Sequence, residues 1–176
     1  MEFIEETKQI KLISSDNEEF EISDKAAKLS NVILDQLEED GGDQQEIPLP
    51  NIRGQVLALV VSFLNHYQTE PMTKIIKPLR SSDLSTLVQP WYFEFIRGKP
   101  EKPFDLEYIS ELILAANFMS IGPLLELSGA AFASQVRDKE STQLKELFGF
   151  EGELVPVDEK QIREENPWAL EAPTNS

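Results

Sequence analysis

A chain of 176 residues, 40% of them hydrophobic, is about one domain's worth of sequence with enough apolar material for a core. A formal net charge of −16 sets it against phosphate backbones and anionic lipid, so nucleic acid and membrane are not expected partners, and a basic protein surface fits better. The absence of cysteine removes disulfides, a thiol nucleophile and zinc–cysteine sites; the longest apolar run, Val56 to Leu64, falls well short of the ~20 residues of a membrane span, and the acidic start MEFIEETK does not read as a secretory leader.

Residues 1–9 read as a tail. Ile10 to Ser14 and Glu19 to Ile22 alternate on either side of Ser15-Asp16-Asn17-Glu18, which predicts a β-hairpin with a polar turn. Ser23 is a suitable N-cap for a short helix over Asp24 to Lys28. Ser30 or Asn31 caps the next, with Val32, Ile33, Leu34 and Leu37 on its apolar side and the acidic, glycine-broken stretch Glu38 to Asp43 at its end. Ile47-Pro48-Leu49-Pro50 is extended, because each proline fixes its own φ and disfavours the helical region for the residue before it. Asn51 is expected to cap a helix over Ile52 to Tyr67, apolar nearly all round and therefore packed on several sides.

The character then changes. Pro71, Pro78, Pro90, Pro100 and Pro103 fall in one stretch with Lys74, Lys77 and Arg80, and Gln68 to Ser85 reads as a mobile surface loop. Trp91 to Ile96 is too aromatic for a linker and is expected to dock on the core as a short helix. Asp105 caps a helix with Leu106, Ile109, Leu112, Ile113 and Ala116 on one stripe. Another starts at Gly122-Pro123, with proline at its first position, and runs through Leu124, Leu125, Leu127, Ala131, Phe132 and Val136. A helix is expected over Ser141 to Phe148. A last one is capped by Asp158, with Gln161 completing a capping box, and stops before Pro167. The class is α/β, mainly α, with a small N-terminal sheet.

No catalytic, cofactor or metal motif stands out: there is no Gly-rich phosphate loop, serine-nucleophile elbow or metal-binding helix pair. His66, the lone histidine, reads as a surface or capping residue, and Glu38-Glu39-Asp40 with Asp43 fits no calcium loop. More informative are Phe132, Val136, Leu144, Leu147, Phe148, Phe150, Ile162 and Trp168, large apolar residues on short, otherwise charged segments. Two helices this short cannot bury that surface by themselves, so they either fold back on the core or offer an apolar patch to a partner.

The run Ser110 to Leu127 (SELILAANFMSIGPLLEL) resembles a segment of the S-phase kinase-associated protein 1 family. Ile10 to Asp16, Ile47 to Asn51 and Gln161 to Trp168 match further stretches in the same order, so the resemblance covers about residues 10–169. It implies a BTB/POZ-type domain over 10–137, two F-box-binding helices over 138–169, and tails at 1–9 and 170–176. Elongin C is related but lacks the C-terminal extension. The implied function is a non-catalytic adaptor, cytoplasmic and nuclear, linking F-box substrate receptors to a cullin scaffold in an SCF-type E3 ubiquitin ligase. Asn117 and Phe118 match the family's Asn-Tyr pair at the cullin face. Phe132, Val136, Leu144, Phe148, Phe150 and Trp168 match apolar positions of the F-box-binding surface.

Pro156 falls where protist members carry a hydroxylated, glycosylated proline, although a proline two residues before the Asp158 cap is also ordinary helix punctuation. Three residues depart from the family pattern at or near the cullin side: Phe118 for Tyr, Ser120 for Asp, and Tyr92 for Asp. They keep open an alternative, an F-box-binding scaffold in a non-ubiquitin assembly. Without a partner, residues 140–168 are expected to be partly disordered, with a homodimer through the same patch as a substitute.

Overall fold

The structure is a computed structural model that describes residues 9–39, 46–79, 81, 83–137, 139–150 and 164–165. The chain divides into two compact units, Met1–Arg137 and Asp138–Ser176.

In the first unit, β1 (Gln9–Ser14) and β2 (Glu19–Ser23) form the expected hairpin, with Ile10 opposite Ile22 and Leu12 opposite Phe20. Ile10, Leu12 and Ile22 are buried, as the period-two alternation dictates. At the tip the Asn17 N–H donates to the Ser14 carbonyl at 3.1 Å, and Asn17 takes a left-handed backbone (φ 62°) that asparagine tolerates. The Ile47 to Leu49 stretch, expected only to be extended, is a third strand, β3 (Glu46–Leu49), parallel to β1 in the order β2-β1-β3. Pro48 is accommodated because β3 is an edge strand, and its ring is exposed between buried Ile47 and Leu49.

Helix α1 (Asp24–Ala27) is capped as expected: the Ser23 hydroxyl accepts from the Ala26 N–H at 3.2 Å. For α2 (Asn31–Glu39) the cap is Ser30. Its Oγ accepts from the Ile33 N–H at 3.3 Å and donates to the Met119 carbonyl at 2.6 Å, so one buried hydroxyl ties the start of α2 to the end of a helix far along the chain. Helix α3 (Gly54–Tyr67) begins two residues later than expected, and Asn51 is not its cap. The Ile52 N–H is taken by a turn to the Leu49 carbonyl (3.1 Å), and Asp16 in the hairpin tip accepts from the Gly54 N–H at 2.7 Å. Buried Val56, Leu57, Val60, Phe63 and Leu64 on α3 meet β1, β2, α1 and, further on, the helix that begins at Leu106.

The segment expected to be a mobile loop has neither helix nor strand from Pro71 to Leu79, yet Met72 and Ile75 are buried. Gln89 pins it: its side-chain amide donates to the Pro71 carbonyl (2.9 Å) and its Oε1 accepts from the Thr73 N–H (3.0 Å). A 3-10 turn at Leu84–Thr86 leads to α4 (Pro90–Arg97), the expected aromatic helix. The His66 ring stacks on Trp91 with centroids 3.8 Å apart and planes inclined by 12°. Its Nε2 lies 3.3 Å from the Glu70 carboxylate but out of line for a hydrogen bond, so His66 acts as a packing residue. Helix α5 (Leu106–Phe118) is capped by Asp105, which accepts from the Glu107 N–H at 3.1 Å, and α5 packs on α6 (Gly122–Val136), whose first turn holds Pro123.

In the second unit, α7 (Ser141–Leu147) opens with a reciprocal capping box between Glu140 and Gln143. The helix expected between Asp158 and Pro167 lies outside the described residues, except for Glu164 and Glu165, which are helical. The fold is mainly helical with a small mixed N-terminal sheet, as the sequence implied.

Replacing Ser30 with alanine leaves the buried Met119 carbonyl without its donor and α2 without its cap. Urea denaturation should show a loss of about 2 kcal/mol. A loss below roughly 0.5 kcal/mol, the range of ordinary surface changes, would show that the bridge is dispensable.

Candidate functional site

On α5, Ile109, Leu112, Ala115 and Ala116 form the buried stripe. Helical spacing therefore turns Leu114 and Phe118, four residues apart, toward solvent together. Leu114 is 69% exposed and Phe118 37%, and Asn117 beside them is also exposed. The facing wall is the turn that enters α3, where Arg53 forms an ion pair with Glu111 of α5. The result is an open groove of about 430 Å³ lined by Asn51, Ile52, Arg53, Val56, Glu111, Leu114, Ala115, Asn117 and Phe118. A second hollow, of about 870 Å³, adjoins it through shared Val56 and Glu111 and is walled by Leu59, Lys99, Pro100 and Tyr108.

Asn117 and Phe118, named from the resemblance, thus share one groove. Leu114, 69% exposed against 37% for Phe118, lies in the same groove, and its signal is in the sequence: it falls off the Ile109–Leu112–Ala116 stripe. Ser120 is exposed just beyond the helix end. Tyr92 corrects the expectation that it sits at or near this face. It is fully buried, because Tyr92 and Ile96, four apart on α4, both turn into the core. Its hydroxyl donates to the Glu70 carbonyl, and burial pushes the phenol pKa up to about 12. The tyrosine at this position closes an aromatic cluster with Phe63, Tyr67 and Trp91 and presents nothing to a partner.

The C-terminal candidates divide between the units. In the first, Phe132 is half-buried and packs against the core, and Val136 is half-buried in the last turn of α6. In the second, Leu144 is half-buried while Phe148 (42%) and Phe150 (68%) are exposed, their rings 6.2 Å apart. Leu147 is exposed beside them. Trp168 and Pro156 lie outside the described residues, as does most of the 140–168 segment expected to be partly disordered. Among the described residues no group of three or more His, Cys, Asp or Glu side chains converges as a metal site would require.

A small mixed sheet under a helical body, with apolar side chains exposed on two separate stretches, defines a protein-binding module. The chain matches the Skp1 family tetramerisation domain over residues 8–69 and the Skp1 family dimerisation domain over residues 122–169. It is similar to the S-phase kinase-associated protein 1 homolog of Tetrahymena thermophila, 35% identical over 164 residues that cover 93% of this chain and 95% of that one. SKP1-like protein 4 of Arabidopsis thaliana is 36% identical over 168 residues, covering 95% and 99%. The E3 ubiquitin ligase complex SCF subunit sconC of Arthroderma benhamiae is 31% identical over 165 residues, covering 94% and 97%. The chain belongs to the Skp1 family, whose members are non-catalytic adaptors.

Two substitutions separate the buried departure from the exposed ridge. Tyr92→Phe, which strands the Glu70 carbonyl, should lower stability by about 1–2 kcal/mol in urea. Leu114→Lys should change it by no more than about 0.5 kcal/mol. If Leu114→Lys proved the more damaging, the outer face of α5 would not be free surface.

Proposed function

We propose that this chain is the adaptor of an SCF-type cullin ubiquitin ligase, acting in cytoplasm and nucleus. The groove around Asn117 and Phe118 receives a cullin N-terminal domain. Phe132, Val136, Leu144, Phe148, Phe150 and Trp168 receive an F-box protein. The observation that carries this reading is the exposure of Leu114 and Phe118 on one side of a helix whose other side is core. Apolar side chains held rigidly in water are favourable for association and serve little else. The exposed pair Phe148 and Phe150 supports the F-box assignment in the same way, since aromatic residues dominate interface energetics. Likeness to a relative named as an SCF subunit adds to it.

A second reading is an F-box-binding scaffold without a cullin. It is favoured by Phe118 and Ser120, which lack the hydroxyl and the charge that the family pattern carries beside the groove. Co-purification separates the two. Asn117→Lys with Phe118→Lys forces two charges into the groove and should weaken cullin binding by roughly thirtyfold or more while F-box binding is kept. Phe148→Glu with Phe150→Glu should do the reverse. Cullin recovery unchanged by the first pair would remove the groove assignment. Recovery of F-box proteins, and never a cullin, by the unmodified chain would select the scaffold.

A further inference from the structure

The α3 side of the groove is a turn that opens with the Ile52 N–H donating to the Leu49 carbonyl, and the residues that follow are held from elsewhere in the chain. Arg53 stands at the N-cap position of α3 and makes no side-chain cap. Both of its neighbours are held from the hairpin tip between β1 and β2. The Ser15 N–H donates to the Ile52 carbonyl at 2.8 Å, and Asp16 Oδ1 accepts from the Gly54 N–H at 2.7 Å. The Asp16 carboxylate is itself aimed by the Ser14 hydroxyl, which donates to it at 2.6 Å and in turn accepts from the Glu18 N–H at 2.9 Å. The tip lies so close that a methyl group at Gly54 would collide with the Glu18 side chain. Arg53, bracketed in this way, reaches Glu111 of α5. Asp16 does not line the groove.

We propose that Asp16 is the positioning residue of the groove: through the Gly54 amide it fixes the backbone at Arg53, and so the Arg53–Glu111 pair against which the partner docks, without touching the partner. The inference rests on the reading of the groove as a cullin face. The hydrogen bonds from Ser14 and Gly54 hold the Asp16 carboxyl below its usual range, so it is a charged acceptor wherever the adaptor works. A helix N-terminus accepts such a partner from any direction that satisfies its free amides. Here the carboxylate comes from a separate element, and the cap couples sheet to groove.

The test is calorimetric titration of the full chain with a cullin N-terminal domain and, separately, with an F-box protein. Asp16→Ala should weaken cullin binding about fivefold, the value of one capping hydrogen bond, and leave F-box binding within about twofold. Asp16→Asn, whose amide oxygen can still accept from Gly54, should restore most of the affinity. The Gly54 amide proton resonance should move upfield in Asp16→Ala and stay near its place in Asp16→Asn. If Asp16→Ala does not fold, Asp16→Glu, which carries the carboxylate one carbon too far, is read by the same criteria. Asp16→Ala binding cullin normally, while Phe118→Lys loses it, would overturn the positioning role alone. Normal binding by both variants would overturn the groove reading itself. Equal loss of both partners would mark Asp16 as a general fold residue and also overturn the proposal.

Discussion

A helix that is apolar on more than one side has to be enclosed, and α3 is that helix here. Val56, Leu57, Val60, Phe63 and Leu64 are all buried, and the sheet, α1 and α5 supply the surfaces that cover them. Replacing Phe63 alone with alanine would cost about 3–5 kcal/mol on the scale of buried aromatic deletions. Enclosure of α3 also sets where the outside is. Because α5 turns Ile109, Leu112 and Ala116 inward, Leu114 and Phe118 have no choice but water. One wall of the groove is therefore set by core packing, and the other is the turn that enters α3.

The two candidate faces are built on different terms. The groove residues sit on helices anchored by the core of the first unit. Phe148 and Phe150 sit at the end of a seven-residue helix in the second, which opens with a capping box. Among the described residues no group of three or more His, Cys, Asp or Glu side chains gathers at either face, and an adaptor needs none. Its requirements are exposed apolar anchors and a surface that stays soluble in spite of them, and a net charge of −16 serves the second. Of the three departures from the family pattern, Tyr92 no longer bears on partner choice, because its ring and hydroxyl are both spent inside the protein. Phe118 and Ser120 are both exposed.

Local signals in the sequence are legible because their physics is local. Ser23 and Asp105 cap the helices that follow them, Pro123 sits in a first turn, and the hairpin alternates around a turn of polar residues. What escaped depends on distance along the chain. The cap of α3 comes from Asp16, 38 residues away, and local rules, which look only to the preceding residues, point to Asn51. The strand at Glu46–Leu49 exists only through parallel pairing with β1, and its proline argued against it. Burial of Met72 and Ile75 in a proline-bearing, irregular segment has no periodicity to betray it. The candidate site was legible mainly through family resemblance: periodicity alone could have found Leu114, but not the identity of what covers it.

An adaptor of the proposed kind holds two different proteins at once. Light scattering coupled to size-exclusion chromatography, on an F-box protein and a cullin N-terminal domain with and without this chain, tests that most directly. The two should not associate without the chain and should run as a single species with the summed mass of one copy of each when it is present. Two binary complexes that never combine, or an F-box complex from which the cullin domain always elutes separately, would contradict the adaptor reading.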